Sequence, residues 1–219
     1  FHTKKSHFYR WICLFWLQES HHSQVTRRFA TLCHWTIRFH RISYRDDQNS
    51  HKSWIHRWLH FFKLSESSEH LKAICKNVFA QSSIEKVSIP SKVHSIFEYA
   101  FYQCKSLKTV DFSDDSELHS IGKDAFSLSS IEKITIPSKV NELSESWCGW
   151  TSNLNNISIM KGNENFCFVD NSFILGKSDI KVNFFDFLIF SVRDIKNVTI
   201  PPYIRRIGMY AFCSCEKVD

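Results

Sequence analysis

Twelve residues, SSIEKVSIPSKV from Ser82 to Val93, return as SSIEKITIPSKV from Ser129 to Val140, with Val87 exchanged for Ile134 and Ser88 for Thr135. A repeat at fixed spacing limits the accessible folds more than any single motif does. A unit too short to bury its own apolar side must stack on copies of itself. The apolar block Ile84-x-x-Val87-x-Ile89 recurs as Leu107/Val110/Phe112, Ile131/Ile134/Ile136, Leu154/Ile157/Ile159 and Ile195/Val198/Ile200, with starts 23, 24, 23 and 41 residues apart. Leu59/Phe62/Leu64 fits the same template 25 residues before Ile84, and Val218 opens a further unit.

Positions 4 and 6 of each block lie on one side of a strand, because strand side chains alternate. The pattern therefore predicts short parallel strands, one per coil, with columns of Val, Ile and Phe inside the stack. Pro90, Pro137 and Pro201 directly follow the blocks. Proline lacks the N–H a ladder needs, so it ends the strand and sets the turn. Each coil continues with an apolar residue and an Ala-Phe pair: Ile96 before YAF at Tyr99 to Phe101, Ile121 before DAF at Asp124 to Phe126, and Ile207 before YAF at Tyr210 to Phe212. Ile74 precedes NVF at Asn77 to Phe79. Phe101, Phe126 and Phe212 are expected to stack as one interior spine. The fourth coil reads SWC at Ser146 to Cys148 and is expected to be irregular. The 41-residue interval holds NFCFVDNSFILGKSD and FDFLIFS, aromatic-rich runs split by Asp170-Asn171 and Gly176. That reads as a β-hairpin or short meander inserted at about residues 163–192, with Gly176 in a turn.

The combination IxxVxIPxxVxxIxxxAFxxC, carried by IEKVSIPSKVHSIFEYAFYQC from Ile84 to Cys104 and by IKNVTIPPYIRRIGMYAFCSC from Ile195 to Cys215, resembles the BspA-like leucine-rich repeat family. The resemblance covers about residues 59–219. It implies the α/β repeat class, mostly β: a leucine-rich repeat solenoid with a parallel sheet on its concave side and an inserted β-hairpin. It also implies a non-enzymatic protein-binding module of the surface-antigen and adhesin type, at the cell surface or secreted, with host extracellular-matrix or cell-surface proteins as partners. An intracellular scaffold of the same architecture, or a decayed gene product, is the alternative.

Residues 1–58 are a different kind of sequence. The first sixty residues hold ten of the 28 Lys and Arg against three acids, nine of the twelve His, five of the seven Trp, and no Gly or Pro. Such a composition, ending where the repeats begin, reads as translation from another frame, a misjoined exon or decayed repeats. The opening Phe1 marks the sequence as a fragment or partial gene model. This His/Trp-rich basic segment stays unassigned. Its aromatic cations suit single-stranded nucleic acid, and Trp11 to Leu17 suits a membrane surface, but neither partner is expected.

No cofactor or metal is expected. His21-His22, Cys33-His34 and the set His51, His56 and His60 lack a metal-site spacing, and none of the eight Cys forms a CxxC pair. No GxSxG, P-loop or GxGxxG motif occurs, which argues against an enzyme. No run of about 18 apolar residues suggests a membrane span.

The candidate binding residues are the outward positions 3 and 5 of each strand: Lys86 and Ser88, Thr109 and Asp111, Lys133 and Thr135, Asn156 and Ser158, Asn197 and Thr199. Stacking should align them as two polar columns on the concave face, with coils about 4.8 Å apart. Lys86 and Lys133 would flank Asp111. Asn156 and Asn197 also open Asn-x-Ser/Thr sequons, so a glycan on either would stand on that face.

Overall fold

The computed structural model describes residues 71–179 and 181–216. The block Leu59/Phe62/Leu64, the His and Cys sets of residues 1–60 and Val218 lie outside the described residues. Among the described residues there are twelve strands and no helix. The longer strands β2 (Lys86–Ile89), β4 (Thr109–Phe112), β6 (Lys133–Ile136) and β8 (Asn156–Ile159) form one parallel sheet in that order. The two-residue strands β1 (Ala73–Ile74), β3 (Ser95–Ile96), β5 (Ser120–Ile121) and β7 (Glu142–Leu143) form a second. This is a β-solenoid whose coils match the sequence period.

Each coil is built by local chemistry. In β2 the burial alternates, with Val87 and Ile89 inward and Lys86 and Ser88 outward, as a strand with one wet face requires. The proline that ends the strand also starts the turn: Val93 N–H donates to Pro90 O at 3.1 Å, and Val140 N–H to Pro137 O at 3.3 Å. The third side of the coil is a ladder of turns. Phe79, Phe101 and Phe126 donate to Ala100, Ala125 and Trp147 carbonyls at 2.9, 2.7 and 2.8 Å. Left-handed residues bracket each Phe, two before it (Asn77, Tyr99, Asp124) and two after it (Gln81, Gln103, Leu128), with φ between 53° and 61°.

The core follows the period. Leu107, Ile131 and Leu154 are fully buried, as are Val93, Leu118 and Val140. Phe79 and Phe101 stack at 5.2 Å and 14°, and Phe101 and Phe126 at 5.2 Å and 5°. The fourth coil differs as the SWC reading anticipated. Leu143 pairs with Ile121 and Trp147 O accepts from Phe126 N–H as Ala125 O does from Phe101, so Trp147 stands at the Ala position, Cys148 at the Phe position, and the spine is left without its Phe. The left-handed residue before the aromatic is the one missing. The larger Trp147 fills the place, fully buried and edge-on to Phe126 at 6.3 Å.

The 41-residue interval is an antiparallel meander of β9 (Cys167–Val169), β10 (Phe173–Gly176) and β11 (Phe187–Ser191). Asp170 and Asn171, at φ 53° and 50°, make its first turn. Gly176 is not in a turn. It ends β10 opposite Phe187, where a Cβ would lie 2.7 Å from Ile189 Cδ1, so the residue meets a packing limit. The meander stands in the stack as a coil would. Ile174, Ile189 and Phe190 face the preceding core, while Phe173, Leu175 and Leu188 face a second cluster with Val198, Ile200, Ile204 and Phe212. β11 then pairs in parallel with β12 (Arg206–Ile207).

Two expectations change for this reason. The spine continues from Trp147 to Phe190 at 5.8 Å and does not reach Phe212, which packs edge-on against Phe173 at 6.2 Å. The block Ile195/Val198/Ile200 keeps its apolar positions turned inward but forms no strand, so Asn197 and Thr199 do not extend the sheet.

Candidate functional site

The outward face of the β2–β4–β6–β8 sheet carries eight of the ten candidate residues. Register places Lys86, Thr109, Lys133 and Asn156 in one column. Ser88 pairs with Asp111 and Thr135 with Ser158 in the second. The ladder between β4 and β6 is registered only at Thr109 with Lys133 and Val110 with Ile134, so the second column opens there. A groove of about 300 Å³ lies at this opening, lined by Thr109, Asp111, Asp114, Lys133, Thr135 and Met160, with Val110 and Phe112. Asn197 and Thr199 are exposed elsewhere, outside the ladder, and do not join the columns.

The charges are arranged unevenly. Lys86 Nζ lies 2.8 Å from Asp111 Oδ2, a diagonal pair across β2 and β4. Lys108 and Glu132 pair beside it at 3.3 Å. Thr135 and Ser158 hydroxyls share a hydrogen bond of 2.7 Å. Among the described residues no carboxylate lies within ion-pairing distance of Lys133. The expectation of two cations flanking one anion therefore becomes one neutralised pair and one cation at the groove. Exposed pairs of this sort contribute at most about 1 kcal/mol to stability, so the face is free to vary for recognition. It also holds no Trp, Tyr or Arg, the residues that most often anchor protein interfaces.

A second polar cluster sits on the turn beyond the strands. Glu117 Oε1 accepts from Lys92 Nζ at 2.6 Å, and Glu117 Oε2 lies 2.9 Å from His94 Nε2. The Lys92 bond, followed by the His94 bond, holds the Glu117 carboxyl down to about 2. A carboxylate has an unfolded value of about 4.3, so its folded value is the lower one. The stabilisation is complete above about 4.3 and is lost as pH falls through about 2. A ¹³C NMR titration should find the Glu117 carboxyl still ionised at pH 3, and Lys92→Met should move its midpoint upward.

Among the described residues no group of three His, Cys, Asp or Glu could hold a metal, and no helix is long and apolar enough to cross a membrane. The Cys213-x-Cys215 pair diverges: Cys215 Sγ faces Val192 O and Arg193, while Cys213 Sγ faces Ser214. Arg193 escaped sequence reasoning. It is buried, stacks over Phe190 with the guanidinium 4.1 Å from the ring centroid, and donates to Ala211 O at 3.0 Å and to Cys148 O at 3.4 Å. Nothing in the repeat pattern marks a cation there as interior.

The BspA type leucine rich repeat region matches residues 72–181 and 183–219 in six copies, the meander included. The chain is similar to the pneumococcal vaccine antigen PcpA at 27% identity and a TM-score of 0.54, over 60% of this chain and 31% of that one. It is equally similar to a leucine rich cell surface protein of Faecalibacterium prausnitzii, at 27% identity and a TM-score of 0.54, over 62% and 34%. A leucine-rich repeat protein of Eubacterium ventriosum shares the fold at 20% identity and a TM-score of 0.52, over 67% and 44%. The chain thus spans about a third of the length of the first two. No curated protein matches. Repeats of this kind are in general protein-interaction modules and generally non-enzymatic. The six matched copies, together with the parallel ladders and the apolar columns, place this chain in the BspA-type leucine-rich repeat family.

Proposed function

We propose that the chain is a non-enzymatic, adhesin-like protein-binding module displayed at the cell surface, and that it binds through the outward face of the β2–β4–β6–β8 sheet. The observation that carries this reading is the pair of registered polar columns with Lys133 beside an open groove. The names of two similar structures, a vaccine antigen and a cell surface protein, support the location. Host extracellular-matrix or cell-surface proteins with exposed carboxylates are the partners whose charge fits Lys133. A face without aromatic anchors supports modest affinity per contact, strengthened by many copies through effective concentration.

The test is binding of the full chain to immobilised extracellular-matrix proteins at low and high salt. Lys133→Glu should weaken binding about tenfold or more at low salt, with a smaller effect at high salt where screening is stronger. Lys86→Glu should matter less, because Lys86 is already engaged with Asp111. Binding that is indifferent to both reversals would remove this face from consideration and turn attention to the turns around Tyr102 and Gln103.

A further inference from the structure

The two Asn-x-Ser/Thr sequons of the chain occupy the same place in their repeats, yet the fold treats them oppositely. Asn156-Ile157-Ser158 lies inside β8. Its three residues are registered against Lys133, Ile134 and Thr135 of β6, and Asn156 N–H donates to Glu132 O at 3.2 Å. Ile157 is buried, and the Ser158 hydroxyl shares its 2.7 Å bond with Thr135. To reach an enzyme, this sequon would have to leave the ladder and draw Ile157 out of the core.

Asn197-Val198-Thr199 forms no strand. Asn197 stands at a bend, and both Asn197 and Thr199 are exposed. Among the described residues no hydrogen bond, ion pair or ring contact engages either side chain, and no backbone hydrogen bond holds residues 195–199. Val198 is half-buried against the second apolar cluster. The span is anchored only at its ends. Asp194 N–H donates to Asn155 Oδ1 at 3.0 Å before it, and Ile204 N–H donates to Pro201 O at 3.0 Å after it.

An N-glycosylation acceptor belongs on a surface segment that an enzyme can grip, with its Ser or Thr hydroxyl accessible. We propose that Asn197 is an N-glycosylation site and that Asn156, in the folded chain, is not. The donor is a lipid-linked oligosaccharide. Asn197 Nδ2 bonds to C1 of its first sugar as the bond from C1 to the diphosphate oxygen breaks. The polyprenyl diphosphate leaves with that electron pair, and Nδ2 gives up one proton to a base of the transferase. The site is compatible with the binding face. A glycan on Asn156 would stand beside Lys133 in the first column, whereas one on Asn197 stands outside the ladder. The inference rests on the surface reading only in requiring passage through a glycosylating compartment.

The test uses the purified, folded full chain as acceptor for a eukaryotic single-subunit oligosaccharyltransferase and a lipid-linked oligosaccharide. Intact mass should show one added glycan, and peptide mapping should place it on Asn197. Asn197→Gln and Thr199→Ala should abolish the addition, and Asn156→Gln should leave it. Peptides carrying each sequon give the preference of the enzyme without the fold. The ratio of Asn197 to Asn156 modification in the chain should exceed the ratio for the peptides about tenfold or more, because β8 must open locally before Asn156 can react. A chain modified at Asn156 as readily as at Asn197, at Asn156 alone or at neither would overturn the proposal. The purified chain reacts wherever a cell would have placed it, so such a failure would leave the surface reading standing.

Discussion

Phe101→Ala should lower the stability of the chain by about 3–5 kcal/mol, as truncation of a buried aromatic does. Phe101 has no solvent exposure and stacks on both sides, on Phe79 and on Phe126, each at 5.2 Å. No neighbour can close the space cheaply. Phe79 and Phe126 are each pinned in their own coil by backbone bonds to Ala100 and Trp147. The loss combines the transfer of the ring, the cavity and two ring contacts worth about 0.5–1.5 kcal/mol each. Phe97, four residues earlier and 45% exposed, is the control. Its alanine variant should shift stability by about 0.5 kcal/mol or less. Urea unfolding of the two variants measures the difference, and an unchanged midpoint for Phe101→Ala would contradict the stacking.

Arg193→Ala should cost about 3 kcal/mol or more, and Arg193→Met distinctly less. The guanidinium is interior and lies over Phe190. It ties the fourth coil to the last one through Cys148 O and Ala211 O. Alanine removes two charge-assisted bonds, each worth about 1.5–3 kcal/mol, and empties the volume. Methionine refills the volume and also removes Nε, a buried atom with no hydrogen-bond partner. It further relieves the cost of keeping a charge out of water with no acid paired to it among the described residues. Thermal melts of the three proteins rank them. If methionine were as damaging as alanine, the hydrogen bonds, not the volume, would account for the arginine.

Much of the architecture was legible in the residues because it is repeated. The 23-residue spacing identified β2, β4, β6 and β8 with the correct inward positions, since alternation within a strand is a local property. Eight outward residues followed from the same alternation. The Trp147 substitution could be seen as a departure, although only packing shows that its ring, from the Ala position of the coil, takes over the spine where Cys148 stands in the Phe position. The candidate face was legible as two columns but not as a charge pattern. Whether Lys86 or Lys133 captures Asp111 depends on side-chain reach across strands, which spacing does not encode.

The sequence by itself determined that coils of one period stack with Ile, Val and Phe inside, because no single coil can bury that side alone. Tertiary structure decided which coil neighbours which. The meander offers β11 and Phe190 at the point where the next coil would have docked, and β11 has what that coil lacked: five buried residues in succession, which fill the space after Trp147. Once β11 holds the place and pairs with β12, residues 195–200 pack on its other face. Asn197 and Thr199 then leave the sheet, Phe212 leaves the spine, and the edge of β8 is left without a partner.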